Sequence, residues 1–146
     1  MRVHFYFVGD FMNNKFMCIA IKEAEKAKKI GEIPVGAVIV KDGKVLSKAH
    51  NLKESKNIAT FHAEIIAIEK ACKKLDNWRL IDCEMYVTLE PCSMCYGAIE
   101  ESRISKLYIG SKSSVKTVQN CKKEYGILEK ECTNMLKSFF TEIRKW

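Results

Sequence analysis

The alternation of apolar and polar residues divides the first half of the chain into one helix and a strand pair. Apolar residues recur at helical spacing over residues 14–30, and Gly31 follows as a helix terminator. The unbroken apolar run 35–40 predicts a strand buried on both faces. Residues 42–43, Asp-Gly, are a hairpin turn signal, so residues 44–50 are expected to return as a second strand.

The second half repeats the order of strand and helix. Residues 51–59 are polar and irregular, and Thr60 is expected to cap a helix that runs to about Leu75. Apolar runs at 85–89 and 106–109 predict a third and a fourth strand. Strands that alternate with helices in this way indicate an α/β fold in which strands run parallel.

Two further helices complete the predicted elements. Pro91 is expected to open a helix that continues through Ile99, because proline is favoured at the first helical position. Residues 126–146 form a last amphipathic helix, whereas residues 111–124 carry no recognisable element. No repeat or linker interrupts the chain, so we expect a loose leader at residues 1–13 and a single domain at 14–146.

Composition narrows the class of protein only slightly. The chain has 146 residues and 47% hydrophobic content, which is normal for a globular protein. Its net charge of +7 would suit a partner that carries phosphates, but a generally lysine-rich amino-acid usage explains the charge equally well. Seven cysteines, an odd number, without an export signal favour a reducing compartment, the cytoplasm. No stretch is long and apolar enough to suggest a membrane span.

Candidate chemistry is concentrated in four residues of two short motifs. His62, Cys92 and Cys95 offer three ligands that suit Zn²⁺, and a hydrolytic zinc site keeps its fourth position for water. Glu64 is badly spaced to be a fourth ligand but well placed to carry protons. A lone C-x-x-C is as often a redox pair or chance, so the weight lies on the combination.

The combination H-x-E with P-C-x-x-C is the signature of nucleobase deaminases. Over about residues 15–145 the chain resembles the cytidine/deoxycytidylate deaminase superfamily, and within it the tRNA-specific adenosine deaminases of the TadA type. The resemblance is carried by residues 33–38, Asn51, 62–65, 77–80 and 86–98, and by the tail from 126 to 140.

The resemblance implies a fold, a reaction and a set of site residues. It implies a three-layer α/β/α cytidine-deaminase-like fold with a mixed sheet of four to five strands. It also implies one zinc ion per chain on His62, Cys92 and Cys95, with Glu64 as the catalytic proton carrier. Asn51 and the Ala63 backbone N–H would contact the substrate. The reaction would be conversion of adenosine to inosine at the wobble position of a tRNA anticodon loop, by a homodimeric hydrolase.

Two other functions stay open at this point. Residues 58–61 and 111–120 depart from the family pattern, which favours a deaminase of a free base or nucleoside such as guanine, cytosine or cytidine. A noncatalytic, zinc-stabilised RNA-binding protein would instead close its metal site with a fourth cysteine, for example Cys83 or Cys121. The intact Glu64 argues against this last class.

Overall fold

A mixed five-stranded sheet forms the middle layer of the computed structural model, which describes residues 2–114 and 120–144, with side chains from Gly9 onward. The strand order is β2-β1-β3-β4-β5; β1 runs antiparallel to β2 and β3, whereas β3, β4 and β5 are parallel. The elements in chain order are α1 (Arg2–Lys29), β1 (Gly36–Lys41), β2 (Lys44–His50), α2 (Lys53–Lys56), α3 (Ala63–Leu75), β3 (Cys83–Leu89), α4 (Ser93–Glu101), β4 (Lys106–Ser111), β5 (Lys122–Glu124) and α5 (Glu129–Arg144).

Helices cover both faces of the sheet. Alternate residues of the central strands, such as Ile39 and Met85, pack with α3 and α4 in one buried cluster. Their neighbours Val38 and Tyr86 face the other way and pack with α1 and with Cys132 of α5 in a second cluster. The predicted three-layer α/β/α architecture with a mixed sheet is therefore confirmed.

The β1–β2 hairpin follows the sequence prediction closely. Asp42 and Gly43 both have positive φ, 52° and 73°, as a tight two-residue hairpin turn requires. A register shift between Ile39 and Val40 adds a bulge to the pair. On the face of the sheet that α1 covers, α1 lies so near β1 that a Cβ on Gly36 would overlap the Ala20 carbonyl oxygen.

The first helix begins much earlier than predicted, at Arg2 instead of residue 14. Its added turns contact the core, because Met12 packs against the second cluster and Asn13 Oδ1 accepts a hydrogen bond of 2.7 Å from the Tyr86 hydroxyl. Residues 2–13 are thus helical, and the division into leader and domain stays a prediction. No helix in the described part of the chain is long and apolar enough to span a membrane.

Four other predictions of local structure are wrong. The stretch 51–59, predicted as irregular, contains the short helix α2. Thr60 does not cap α3, because residues 59–60 form a turn and His62 is the N-cap residue. The segment 111–124, for which no element was predicted, contains the three-residue strand β5, while residues 115–119 lie outside the described chain. The last helix begins at Glu129, three residues after the predicted start, and its predicted end at 145–146 also lies outside.

Candidate active site

The candidate ligands lie at the N-termini of two neighbouring helices. His62 is the N-cap of α3, and Cys92 is the N-cap of α4. Helix α4 therefore begins at Ser93 and not at the predicted Pro91, but Cys92 and Cys95 still lie within its first turn. The partial positive charge of a helix N-terminus favours a thiolate, so the local structure suits metal binding.

The three side chains lie at distances that suit one divalent ion. Their ligand atoms are all within 4.8 Å of one another, and His62 Nδ1 is 3.7 Å from Cys92 Sγ and 3.5 Å from Cys95 Sγ. Tetrahedral zinc with ordinary bond lengths requires nitrogen–sulfur separations of about 3.6 Å. Within the described residues no fourth histidine, cysteine or carboxylate joins this group. The residues present fit zinc with one position open.

The protonation of the imidazole also suits a metal ligand. Burial, and secondarily the nearby charge of Lys53, lowers the pKa of His62 and so favours the neutral ring that binds a cation. Burial raises the pKa of the Cys95 thiol, mainly because a thiolate loses its hydration there. A bound cation would therefore have to displace a proton from Cys95.

Glu64 is a buried carboxylate beside this group. The residue is only 3% exposed, and its Oε1 atom has no hydrogen-bond partner among the described residues. Burial raises its pKa. From the apolar residues of α3 one would expect Ile65 and Ile68 to face the core, yet both are half-buried while Glu64 is buried. An unsatisfied buried oxygen is costly, which indicates a group kept for chemistry and not for packing.

A cavity of about 530 Å³ opens beside Glu64 and the ligand group. Its walls come from the loop after α1, from residues 51–54 and the start of α3, from the end of β3 and the turn into α4, from the stretch after β4, and from α5. The lining residues are Gly31, Glu32, Ile33, Val35, Asn51, Lys53, Glu54, His62, Glu64, Leu89, Glu90, Cys92, Ser113, Phe139, Phe140 and Ile143.

The two predicted substrate-binding groups contact each other. Asn51 lines the cavity, and its Oδ1 accepts a hydrogen bond of 2.8 Å from the Ala63 backbone N–H. The Asn51 amide donates to the Ile33 carbonyl at 3.2 Å. A substrate that used these groups would exchange or share these bonds, and their role in binding stays a prediction.

Sequence reasoning overlooked Glu32 at the cavity wall. This residue is 2% exposed, and its carboxylate accepts bonds from the Glu54 N–H at 3.1 Å, the Ser55 N–H at 2.7 Å and the Ser55 hydroxyl at 2.5 Å. Glu32 therefore caps α2 from a distant part of the chain. Its local sequence, between Gly31 and Ile33, reads only as an ordinary polar loop position.

The places of Glu90 and of the last helix in the cavity wall were also overlooked. Glu90 is 8% exposed; burial alone raises its pKa, but bonds from the Ser113 N–H and two tyrosine hydroxyls outweigh burial and lower the pKa. The only sequence signal for Glu90 was its position within residues 86–98, one of the stretches that carry the family resemblance. Phe139 and Ile143 of the last helix line the cavity, and Ile143 is 52% exposed.

Three potential metal ligands, an open position and a buried carboxylate beside a cavity define a metal-dependent hydrolase. The sequence profile of the cytidine and deoxycytidylate deaminase zinc-binding region matches residues 12–111. The chain belongs to this family and is a hydrolytic deaminase.

Known deaminases of two kinds are similar to the chain. The tRNA-specific adenosine deaminase of Bacillus subtilis is 44% identical over 89% of both chains. A structure from studies of A-to-I editing by tRNA:A34 deaminases at the wobble position is 35% identical with a TM-score of 0.80, covering 84% of this chain and 99% of the other. The guanine deaminase structure from Bacillus subtilis is 40% identical with a TM-score of 0.64, over 67% and 63% of the two chains.

Proposed function

We propose that the protein converts adenosine to inosine at the wobble position of a tRNA anticodon loop. The observation that carries this proposal is the 44% identity to a tRNA-specific adenosine deaminase over 89% of both chains. The net charge of +7 and the presence of Lys53 at the cavity support a phosphate-bearing substrate. An anticodon loop offers an unpaired base that is cheap to extrude into such a cavity.

Within the proposal, one zinc ion per chain is held by His62, Cys92 and Cys95. Zinc in this position supplies the acidity that lets a water molecule attack at neutral pH. Asn51 and the Ala63 N–H orient the purine ring in the cavity. The half-exposed Phe140 and Ile143 shield the mouth of the cavity from solvent.

Glu64 moves the protons of the reaction. Its carboxylate removes a proton from the attacking water and delivers it to N1 of adenine as the oxygen bonds to C6. Glu64 then transfers the remaining hydroxyl proton to the amino group, the C6–N6 bond breaks, and ammonia leaves. The raised pKa of Glu64 suits a group that must both accept and donate a proton near neutral pH.

A second candidate is a deaminase of a free base such as guanine. It is favoured by the 40% identity to the guanine deaminase from Bacillus subtilis, although that likeness covers only 67% of this chain. Both candidates use the same ligand group and the same buried carboxylate. They differ in whether the substrate is a polynucleotide or a small molecule.

A substrate panel on zinc-quantified protein separates the two candidates. Ammonia release is measured with an anticodon stem-loop that carries adenosine at the wobble position, with free adenosine, adenine, guanine, cytosine and cytidine. The same stem-loop with guanosine at that position is the matched control. We expect turnover of the adenosine stem-loop alone; turnover of a free base with none on RNA would contradict the proposal.

The proposal also includes a cytoplasmic homodimer. A cytoplasmic setting follows from a tRNA substrate and agrees with seven cysteines that are all free in the structure. Large apolar side chains left about half exposed, Trp78 at 48% and Ile81 at 52%, support a contact with a second copy. Light scattering coupled to size exclusion should give twice the chain mass, whereas the mass of a single chain would exclude the dimer.

A further inference from the structure

Glu90 links two stretches of chain to helix α4 at the edge of the cavity. The stretches are 111–114 and 120–126, called here the wall segments, which lie on either side of residues 115–119. We infer that Glu90 is a positioning residue that holds the wall segments in place for the nucleotides flanking the target base. This inference rests on the proposed RNA substrate.

The carboxylate of Glu90 accepts bonds from three different parts of the fold. Its Oε2 atom accepts from the Tyr96 hydroxyl of α4 at 2.9 Å and from the Tyr125 hydroxyl at 2.8 Å. Its Oε1 atom accepts from the Ser113 backbone N–H at 3.1 Å. The backbone N–H of Glu90 also donates to the Ser111 carbonyl at 2.8 Å. One buried side chain therefore bonds to both wall segments and to the helix that carries Cys92.

The wall segments contain little regular structure. The second segment includes the strand β5, which has only three residues, Lys122–Glu124, and pairs with β4 at the edge of the sheet. Outside the sheet, the Ser111 hydroxyl bonds to that of Thr133 at 2.9 Å and the Asn120 N–H donates to Glu100 at 2.9 Å, so each segment also has a bond that does not involve Glu90. Ser113 and Glu90 both line the cavity. A change in the Glu90 contacts would therefore move the cavity wall while the ligand group stays on α3 and α4.

The same contacts orient two cationic side chains. Lys112 Nζ lies 4.7 Å from the ring centre of Tyr125, and Lys123 Nζ lies 5.1 Å from the ring centre of Tyr96. Both rings are bonded to Glu90 through their hydroxyl groups, so a change at this carboxylate would shift the rings that the two ammonium groups face. Lys112 adjoins Ser113, which lines the cavity. Cations on the wall segments would suit the phosphates of a continuous strand and offer little to a free base.

The test compares two variants with a matched tyrosine control. Tyr125→Phe removes one donor from a residue that is 37% exposed, and Glu90→Gln changes the acceptor itself. Tyr108→Phe is the control, because the Tyr108 hydroxyl donates to a different carboxylate, Glu84, at 3.2 Å. Each protein is assayed for zinc content, for steady-state kinetics on the adenosine stem-loop, and for hydrogen exchange of peptides covering the wall segments.

We expect Glu90→Gln and Tyr125→Phe to raise KM for the stem-loop at least fivefold while kcat stays within twofold and zinc content is unchanged. Amide exchange in the wall segments should accelerate at least tenfold, and Tyr108→Phe should show neither effect. Unchanged exchange and KM in the two variants would overturn the inference, as would a fall in kcat at constant KM. If Glu90→Gln fails to fold, Tyr125→Phe decides alone. The exchange measurement also stands if the wild-type protein does not deaminate RNA, which would refute only the proposed function.

Discussion

Replacing Glu64 with glutamine is expected to remove most of the turnover without destabilising the fold. Positioned acid–base groups contribute about 10²- to 10⁴-fold to rate, equivalent to about 2.7–5.5 kcal/mol of barrier. Glutamine has the same shape but cannot carry the proton. Glu64 Oε1 has no hydrogen-bond partner among the described residues. Burial raises the pKa of Glu64 by more than its hydrogen bonds with its own backbone N–H and with Cys95 lower it, so a neutral amide is expected to cost little stability.

Glu32→Gln is the matched comparison, because Glu32 is equally buried but its carboxylate accepts three hydrogen bonds. One oxygen becomes an amide that faces donors, and the loss of a hydrogen bond to a charged group costs about 1.5–3 kcal/mol. For a chain of this size that corresponds to a fall in Tm of about 5–10 °C.

The assay measures initial rates of ammonia release and thermal unfolding at matched zinc content. Glu64→Gln should lose at least about a hundredfold in rate while its Tm stays within about 2 °C of wild type. A rate within tenfold of wild type would refute the catalytic assignment. A fall in Tm as large as that of Glu32→Gln would show that Glu64 is mainly structural.

Three further outcomes follow from other contacts. Burial raises the pKa of Glu32, but its hydrogen bonds outweigh burial and lower it, so its stabilisation is complete above about pH 4.5 and is lost as pH falls through the folded pKa. The stability deficit of Glu32→Gln in denaturant titrations should therefore begin to shrink below about pH 4.5 and continue to shrink as the pH falls, and a constant deficit would contradict this. Gly36→Ala forces a Cβ onto the Ala20 carbonyl and should lower the free energy of unfolding by about 1–3 kcal/mol. Gly97→Ala, whose Cβ would meet nothing within 4 Å, should instead stabilise α4 by about 0.5–1 kcal/mol. Equal effects of the two substitutions in chemical denaturation would exclude the close approach of α1 to Gly36. Cys95→Ser should lower bound zinc per chain and Tm together, measured by metal analysis and calorimetry, and full zinc retention would remove Cys95 from the ligand set.

Sequence patterns were sufficient where the determining interactions are local. The strands at 35–40 and 44–50 were predicted because an apolar run and an Asp-Gly turn carry their own conformational preferences. The closeness of His62, Cys92 and Cys95 was expected from the deaminase signature that the two motifs match, and the structure brings the three ligand atoms within 4.8 Å of one another. The antiparallel direction of β1 relative to β3 did not follow from the alternation of strands and helices.

Features that depend on distant contacts could not be read from the chain. Glu32 caps α2 across twenty-odd residues, and no local pattern distinguishes it from a solvated glutamate. The turn of α1 that contains Asn13 lies before the predicted start of the helix, and it contacts Tyr86, 73 positions further along the chain. The burial of Glu64 depends on how α3 is rotated against the sheet, which periodicity alone places only to within a residue or two.

The origin of the ligand group in two separate strand–helix units has a consequence for folding. His62 and Cys95 are 33 positions apart, and the helices α3 and α4 that position them pack against the same face of the sheet and against each other. During synthesis, a chain that ends before β3 and α4 cannot assemble all three donors. Cation uptake by this protein is therefore a late folding event, and pulse-chase capture of radioactive zinc would report when the native tertiary structure is complete.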